Sequence, residues 1–240
     1  MGGATGTDEN GQVYEPPETL ARGAGRLGEL ILRRRAGSPP VYELIVNGVF
    51  LMDTAETSTE RLLAEAMIRR SEAPHRVLVG GLGLGFTVRA LLTDPRIDRI
   101  DVVEIEPLLI QWLREDLVPG VRAVVDDRRV EVTIGDVVEV LAAAEPNSYD
   151  AVLLDVDNGP DFLAHERNAA VYQTYALSLA ARALRPNGTL AVWSASQSEP
   201  LSTRMAAVVG PVDKVTADVV REGRPMTYHV YLATVRPIGQ

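Results

Sequence analysis

Cysteine is absent from this 240-residue chain, and its three histidines, His75, His165 and His229, are scattered along it. Neither a disulfide framework nor a Cys/His metal site can be assembled from such a set, and no metal is expected. No apolar run is long enough to cross a bilayer, and the opening MGGATGTDENGQ lacks the basic and apolar segments of a signal peptide. A cytoplasmic protein with no membrane partner is the expectation. The formal net charge is −9 and no basic cluster interrupts it, which leaves no electrostatic footprint for nucleic acid. Internal repeats are missing as well.

What is present is a core and a glycine loop. Hydrophobic residues make up 46% of the chain, enough for one α/β domain with a small appendage. Arg76-Val-Leu-Val79 is short, apolar and rich in β-branched residues, as expected of a strand covered on both faces. Gly80, Gly81, Gly83 and Gly85 follow, and the lack of a Cβ at these positions allows a tight turn and close approach of a ligand. Phe86 to Leu92 then reads as a helix whose unpaired N–H groups face that turn. A second apolar run ends at Glu104, 19 residues after Gly85, where a nucleotide-binding α/β unit places a carboxylate on ribose hydroxyls. The spacing departs from the dinucleotide fingerprint, because Phe86 or Val88 falls where its third glycine belongs. The sequence therefore disfavours a pyrophosphate cofactor and points to a smaller nucleoside.

The rest of the chain supplies a frame for that loop. Residues 1–25 show no periodicity and read as a flexible arm. A small β-unit over 26–56 follows, with Asn47-Gly48 between YELIV and VFLMD as a hairpin signal. Thr57-Ser-Thr-Glu60 matches a capping box that opens a helix. Strands and helices then alternate over 57–240, which predicts a Rossmann-like, mostly parallel sheet. Its strands are Arg76–Val79, Ile100–Glu104, Val130–Ile134, Tyr149–Asp155 and Thr189–Ser194, with a long helix over Ala170–Leu184. Val212–Arg221 and Thr227–Val235 are joined too closely for a crossover and should close the seven-stranded sheet as an antiparallel hairpin.

Three acids end predicted strands on one edge, the edge where open α/β sheets bind ligands. Glu104, with Ile105 beside it, would accept from the ribose; Asp136, with Val137 beside the ring, would accept from the adenine amino group; Asp155 would face the reacting end of a donor. Each acid alone could equally cap the helix that follows it.

These residues resemble the spermidine synthase-like branch of the class I S-adenosylmethionine-dependent transferases. The resemblance rests on GGLGLG, on VVEIEP (Val102 to Pro107), on DDRRVEVTIGD (Asp126 to Asp136) and on YDAVLLDVDNGP (Tyr149 to Pro160), together with the hairpin and helix between Tyr42 and Arg70. It implies the class I methyltransferase fold and a donor that is S-adenosylmethionine or its decarboxylated form. The acid matching Asp155 helps deprotonate the acceptor amine in that family, so Asp155 is the candidate catalytic residue, with Asp157 next. The loop from Asp157 to Asn168 would cover the site, and Asn158, Tyr172 and Trp193 are candidate pocket residues. Departures bear on the acceptor. Leu84 stands where polyamine aminopropyltransferases carry an acid in the glycine loop, Leu51 where they carry a glutamine, and Leu63 and Ala64 where they carry a Tyr-His pair. An apolar lining compensates ammonium groups poorly. The first expectation is therefore transfer of a methyl, or another sulfonium-borne carbon group, to a small-molecule nucleophile. Aminopropyl transfer and a catalytically inactive nucleoside-binding module are the alternatives. A homodimer through the Tyr42–Asp53 hairpin is also expected, since two strands alone are marginal and need cover.

Overall fold

In the computed structural model, residues 6–7, 13–221 and 223–236 are described. Two-residue strands β1 (Gly6–Thr7) and β2 (Val13–Tyr14) pair antiparallel. Next come β3 (Glu18–Ala24), β4 (Glu29–Arg35), β5 (Val41–Val46) and β6 (Val49–Asp53), a four-stranded antiparallel sheet in chain order. The flexible-arm expectation fails over Glu18–Ala24, which is a strand. Its backbone is ordered by the ladder to β4, a long-range pairing that local composition does not reveal.

The hairpin forms where Asn47-Gly48 predicts it. Both residues take positive φ, 51° and 76°, matching the twist of the flanking strands. Asn47 also braces the β3–β4 turn: its Oδ1 accepts from Glu29 N at 3.0 Å and its Nδ2 donates to Leu27 O at 2.7 Å. Leu44, Ile45 and Val46 of β5 are buried within the single chain. The need for a partner's cover, on which the dimer expectation rests, therefore no longer follows.

The larger sheet uses α1 (Ser58–Arg70), β7 (Arg76–Gly80), α2 (Phe86–Leu91), β8 (Arg99–Glu104), α3 (Pro107–Arg114), α4 (Arg122–Val125), β9 (Val130–Ile134), α5 (Val137–Ala143) and β10 (Tyr149–Leu154). After a 3-10 segment at Glu166–Tyr172 come α6 (Thr174–Ala183), β11 (Leu184–Ser194), α7 (Glu199–Val208), β12 (Val212–Arg221) and β13 (Arg224–Thr234). Strand order is β12-β13-β11-β10-β7-β8-β9, parallel except for β13, which runs antiparallel to both neighbours. This is the predicted seven-stranded class I arrangement. The long helix expected over Ala170–Leu184 is instead a 3-10 turn followed by α6, with Gln173 in extended conformation between them.

Alternation explains why the central strands read as unbroken apolar runs. In β10, Ala151 and Leu153 join one core cluster with Leu63, Met67 and Leu91, while Val152 and Leu154 join the other with Leu177, Leu201 and Met205. Helices thus cover both faces, and each fully buried side chain contributes about 1.5–3 kcal/mol. Parallel strands then leave all their carboxyl ends on one edge. Among the described residues no helix is long and apolar enough to cross a membrane.

Candidate active site

Glycine chemistry shapes the floor of the site, and the four loop glycines do different jobs. Gly81 (φ 91°) lies so close to the end of β10 that an added Cβ would meet the Asp155 carbonyl oxygen at 2.2 Å. Gly83 (φ 50°) has Met52 Sδ over it, 2.6 Å from where a Cβ would sit. Both line the main cavity. Gly80 and Gly85 do not: the first makes room for Val137, and the second, at φ 78°, starts α2 in a left-handed conformation. Because backbone cannot swing aside as a side chain can, Gly81→Ala is expected to cost at least ~2 kcal/mol of stability from strained φ and steric conflict. Chemical denaturation checks this, and a wild-type midpoint would show that the loop yields.

Glu104, Asp136 and Asp155 converge on this cavity with Ile105 and Val137, so the structure brings together the acids and neighbours picked from the sequence. Glu104 is 6% exposed and binds the loop itself: Leu82 N donates to Oε2 and Glu106 N to Oε1, both at 2.8 Å. Burial pushes its carboxyl up, against the pull of those N–H groups. Asp136 caps α5 by accepting from Val138 N at 2.8 Å and faces the cavity too, so the capping and site readings coexist.

Asp155 follows the last residue of β10 and is partly buried. Its Oδ2 accepts from the Thr87 hydroxyl at 2.6 Å. Desolvation raises its pKa from 3.8 to about 6, with the Thr87 bond pulling the other way. Asp157, at φ 62°, serves the loop instead. Its carboxylate accepts from Asn158 N and Ala164 N at 2.8 Å and from Asn168 Nδ2 at 2.7 Å, folding the covering segment back on itself. Asn158 Nδ2 donates to Phe50 O at 3.2 Å and joins that segment to the hairpin. Tyr172 is fully buried, donates to Val156 O and does not line the cavity; it is core. Trp193 lines the cavity and stacks on Tyr228 at 5.3 Å between centroids.

Two residues escaped sequence reasoning. Glu60 matches a capping box, yet the box does not form: Thr57 makes no side-chain cap bond, and Ser58 N bonds Glu56 instead. Glu60, 5% exposed, lines the cavity from the first turn of α1. Leu63 and Ala64, matched by sequence to the family's Tyr-His pair, are fully buried one turn further along and do not line it. The site therefore gains a carboxylate on the side expected to be apolar. Glu106 was overlooked as well. Its carboxylate accepts from Arg26 N at 2.8 Å and Leu27 N at 2.7 Å, which lays the β3–β4 turn against the cavity. The acid pair Glu104/Glu106 in EIEP was the available signal.

Comparison with known proteins gives the family. Residues 56–219 match the spermine/spermidine synthase domain. A polyamine aminopropyltransferase of Mycobacterium tuberculosis is 35% identical over 228 residues, 93% of this chain and 40% of that protein. The chain thus spans about two fifths of that relative's length. Putrescine N-methyltransferase 4 of Nicotiana tabacum is 34% identical over 119 residues, 49% of this chain and 29% of that protein. Among solved structures, a spermidine synthase in complex with the transition-state analogue AdoDATO superposes with a TM-score of 0.79 at 17% identity, covering 93% of this chain and 76% of that one. Spermidine synthase from Thermotoga maritima gives 0.76 at 16%, with 93% and 74% covered. At such identities the structures speak for the fold, while the domain match extends over most of the chain from α1 to β12. With its glycine loop, strand-end acids and antiparallel closing hairpin accounted for, this chain belongs to the spermine/spermidine synthase family of transferases.

Proposed function

We propose that the protein transfers an aminopropyl group from decarboxylated S-adenosylmethionine to a small amine. The observation that carries this reading is the gathering of Glu60, Asp155, Glu104 and Asp136 in one cavity above the glycine loop. The donor set fits a nucleoside: Glu104 would take the ribose hydroxyls, Asp136 the adenine amino group, and Ile105 and Val137 the faces of the base. When bound, the donor supplies a sulfonium carbon already activated for displacement. Holding the acceptor nitrogen in line with that carbon is then the chain's main contribution to rate. Asp155 accepts the proton that the nitrogen gives up as its new bond to carbon forms and the carbon–sulfur pair returns to sulfur. Two carboxylates, Asp155 and Glu60, suit a cationic acceptor in a pocket whose other walls include Leu51, Met52 and Trp193.

Aminopropyl transfer thus moves ahead of methyl transfer, reversing the order suggested by the sequence. The relative with broad coverage, a polyamine aminopropyltransferase, supports it, and so does Glu60. A second reading, methyl transfer from S-adenosylmethionine, is favoured by Leu84. That residue is fully buried and contributes no acid beside the glycine loop for a donor amine, and a putrescine N-methyltransferase is also among the relatives.

The two readings leave different thioethers. Given decarboxylated donor and a panel of diamines, the chain is expected to release methylthioadenosine; S-adenosylhomocysteine formed from S-adenosylmethionine alone would transfer the assignment to a methyltransferase. Neither product, with donor still bound in calorimetry, would identify an inactive binding module. Because Asp155 must be ionised to accept a proton, kcat/KM should fall as pH drops through about 6.

A further inference from the structure

We propose that Thr87 is the positioning residue of this site, a hydroxyl that fixes the Asp155 carboxylate in the orientation needed to receive the acceptor's proton. The proposal rests on the reading that Asp155 is the proton acceptor. Thr87 lies in the first turn of α2 and is only 2% exposed. A threonine in a helix commonly turns its hydroxyl back on the preceding turn's carbonyl. Here the hydroxyl meets acceptors outside its own helix, Asp155 Oδ2 after β10 at 2.6 Å and the main-chain oxygen of Glu60 in α1 at 3.2 Å. It has one proton for two acceptors. The shorter contact, to a charged oxygen, takes that proton while Asp155 is ionised.

Protonation of Asp155 changes the pairing without breaking it. Once the carboxyl carries the transferred proton on Oδ2, its O–H can donate to Thr87 Oγ1, and the threonine proton swings to the Glu60 carbonyl. Both states of the acid are then hydrogen-bonded through one rotor. A buried acid that lost its partner on changing charge would bear the desolvation penalty in one of the two states. The proton comes from the acceptor nitrogen and rests on Asp155, so the step balances.

Other titratable groups share this cavity and set the background against which Thr87 acts. Glu60 faces it from α1, Glu104 and Glu106 from the end of β8, Asp136 from the start of α5, and Asp157, His165 and Arg167 from the covering loop. Tyr172 lies beneath, its phenol pushed up by burial and by the two nearby aspartates. Thr87 is the group that donates to the Asp155 carboxylate, at 2.6 Å. The ionised form loses a charge-assisted bond when Thr87 is removed.

The test is the pH dependence of kcat/KM in the full chain for wild type, Thr87→Val and Thr87→Ser. Valine keeps the volume and removes the hydroxyl. It is expected to move the acid limb upward by about one pH unit and to leave the high-pH plateau below wild type, with little change in donor affinity. Serine is expected to return the limb toward wild type. A loss in the valine variant that is equal at every pH, or a limb that stays in place, overturns the proposal. Infrared titration of the ligand-free protein gives a readout that needs no substrate. The carboxylic-acid band missing from Asp155→Asn should appear at higher pH in Thr87→Val than in wild type, and coincident midpoints also overturn the proposal. If valine does not fold, Thr87→Ala takes its place in both measurements with the same expectations. Failure of the underlying reading looks different: an Asp155→Asn variant with normal turnover removes Asp155 as the proton acceptor whatever Thr87 does.

Discussion

Asp155→Asn is expected to lower turnover by roughly 10²-fold or more while changing donor affinity little, the scale typical of a positioned acid–base group. Asparagine keeps the size of the side chain and one oxygen able to accept from Thr87, so the local hydrogen bond survives. What disappears is the charge and with it the ability to take a proton. Stability should respond in the opposite direction. The folded-state pKa lies above the ordinary carboxylate value, at about 6, so the folded protein binds this proton more tightly than the unfolded chain does. The contribution of Asp155 to stability therefore falls as pH rises from the ordinary carboxylate range through about 6. Asparagine should relieve that burden at neutral pH, and paired denaturation curves at acid and neutral pH measure it. A variant with lower stability and normal turnover would make Asp155 a structural cap. Asp157 is a weaker successor, because its oxygens are occupied by loop donors.

Removing the Glu104 carboxylate should cost one to two decades of donor affinity. The group would supply a charge-assisted acceptor to the ribose, worth roughly 1.5–3 kcal/mol. Reading the sequence alone, one expects Glu104→Ala to leave the fold untouched. The structure changes that expectation: two backbone donors, Leu82 N and Glu106 N, depend on the same carboxylate. Alanine would leave them short of an acceptor in a buried place and should lower stability by about 1–3 kcal/mol for each that finds no water. Glu104→Gln retains one acceptor oxygen and is the gentler probe of binding. Calorimetry with the decarboxylated donor, on variants shown to be folded, is the measurement. An unchanged dissociation constant in the glutamine and alanine variants together would remove the nucleoside assignment.

The architecture was legible because its signals are local and repeated. Val77, Leu78 and Val79 read as a strand buried on both faces because no polar residue interrupts them, and they divide between two core clusters in the folded chain. Asn47-Gly48 predicted its hairpin since both residues tolerate positive φ, and both adopt it. Spacing alone placed Glu104, Asp136 and Asp155 on one edge, as parallel strands of similar length must end together. The parallel run of the sheet followed from the alternation of elements, and the antiparallel closing pair from a link too short for a crossover; the order of the strands came from the folded chain.

Tertiary structure decided what no local signal contains. Glu18–Ala24 became a strand through partners in β4, and its own composition gave no warning. Glu60 looked like half of a capping box, but in the folded chain α1 lies beside α2 and the same carboxylate borders the cavity. The reach from Thr87 to Asp155 spans 68 residues, and that from Leu27 to Glu106 spans 79. Contacts of that kind depend on how the sheets and helices are brought together. Residue types and periodicity determine which elements form and on which edge the strand-end acids gather; the choice of partners across that edge, and hence the environment of Asp155, is made only by packing.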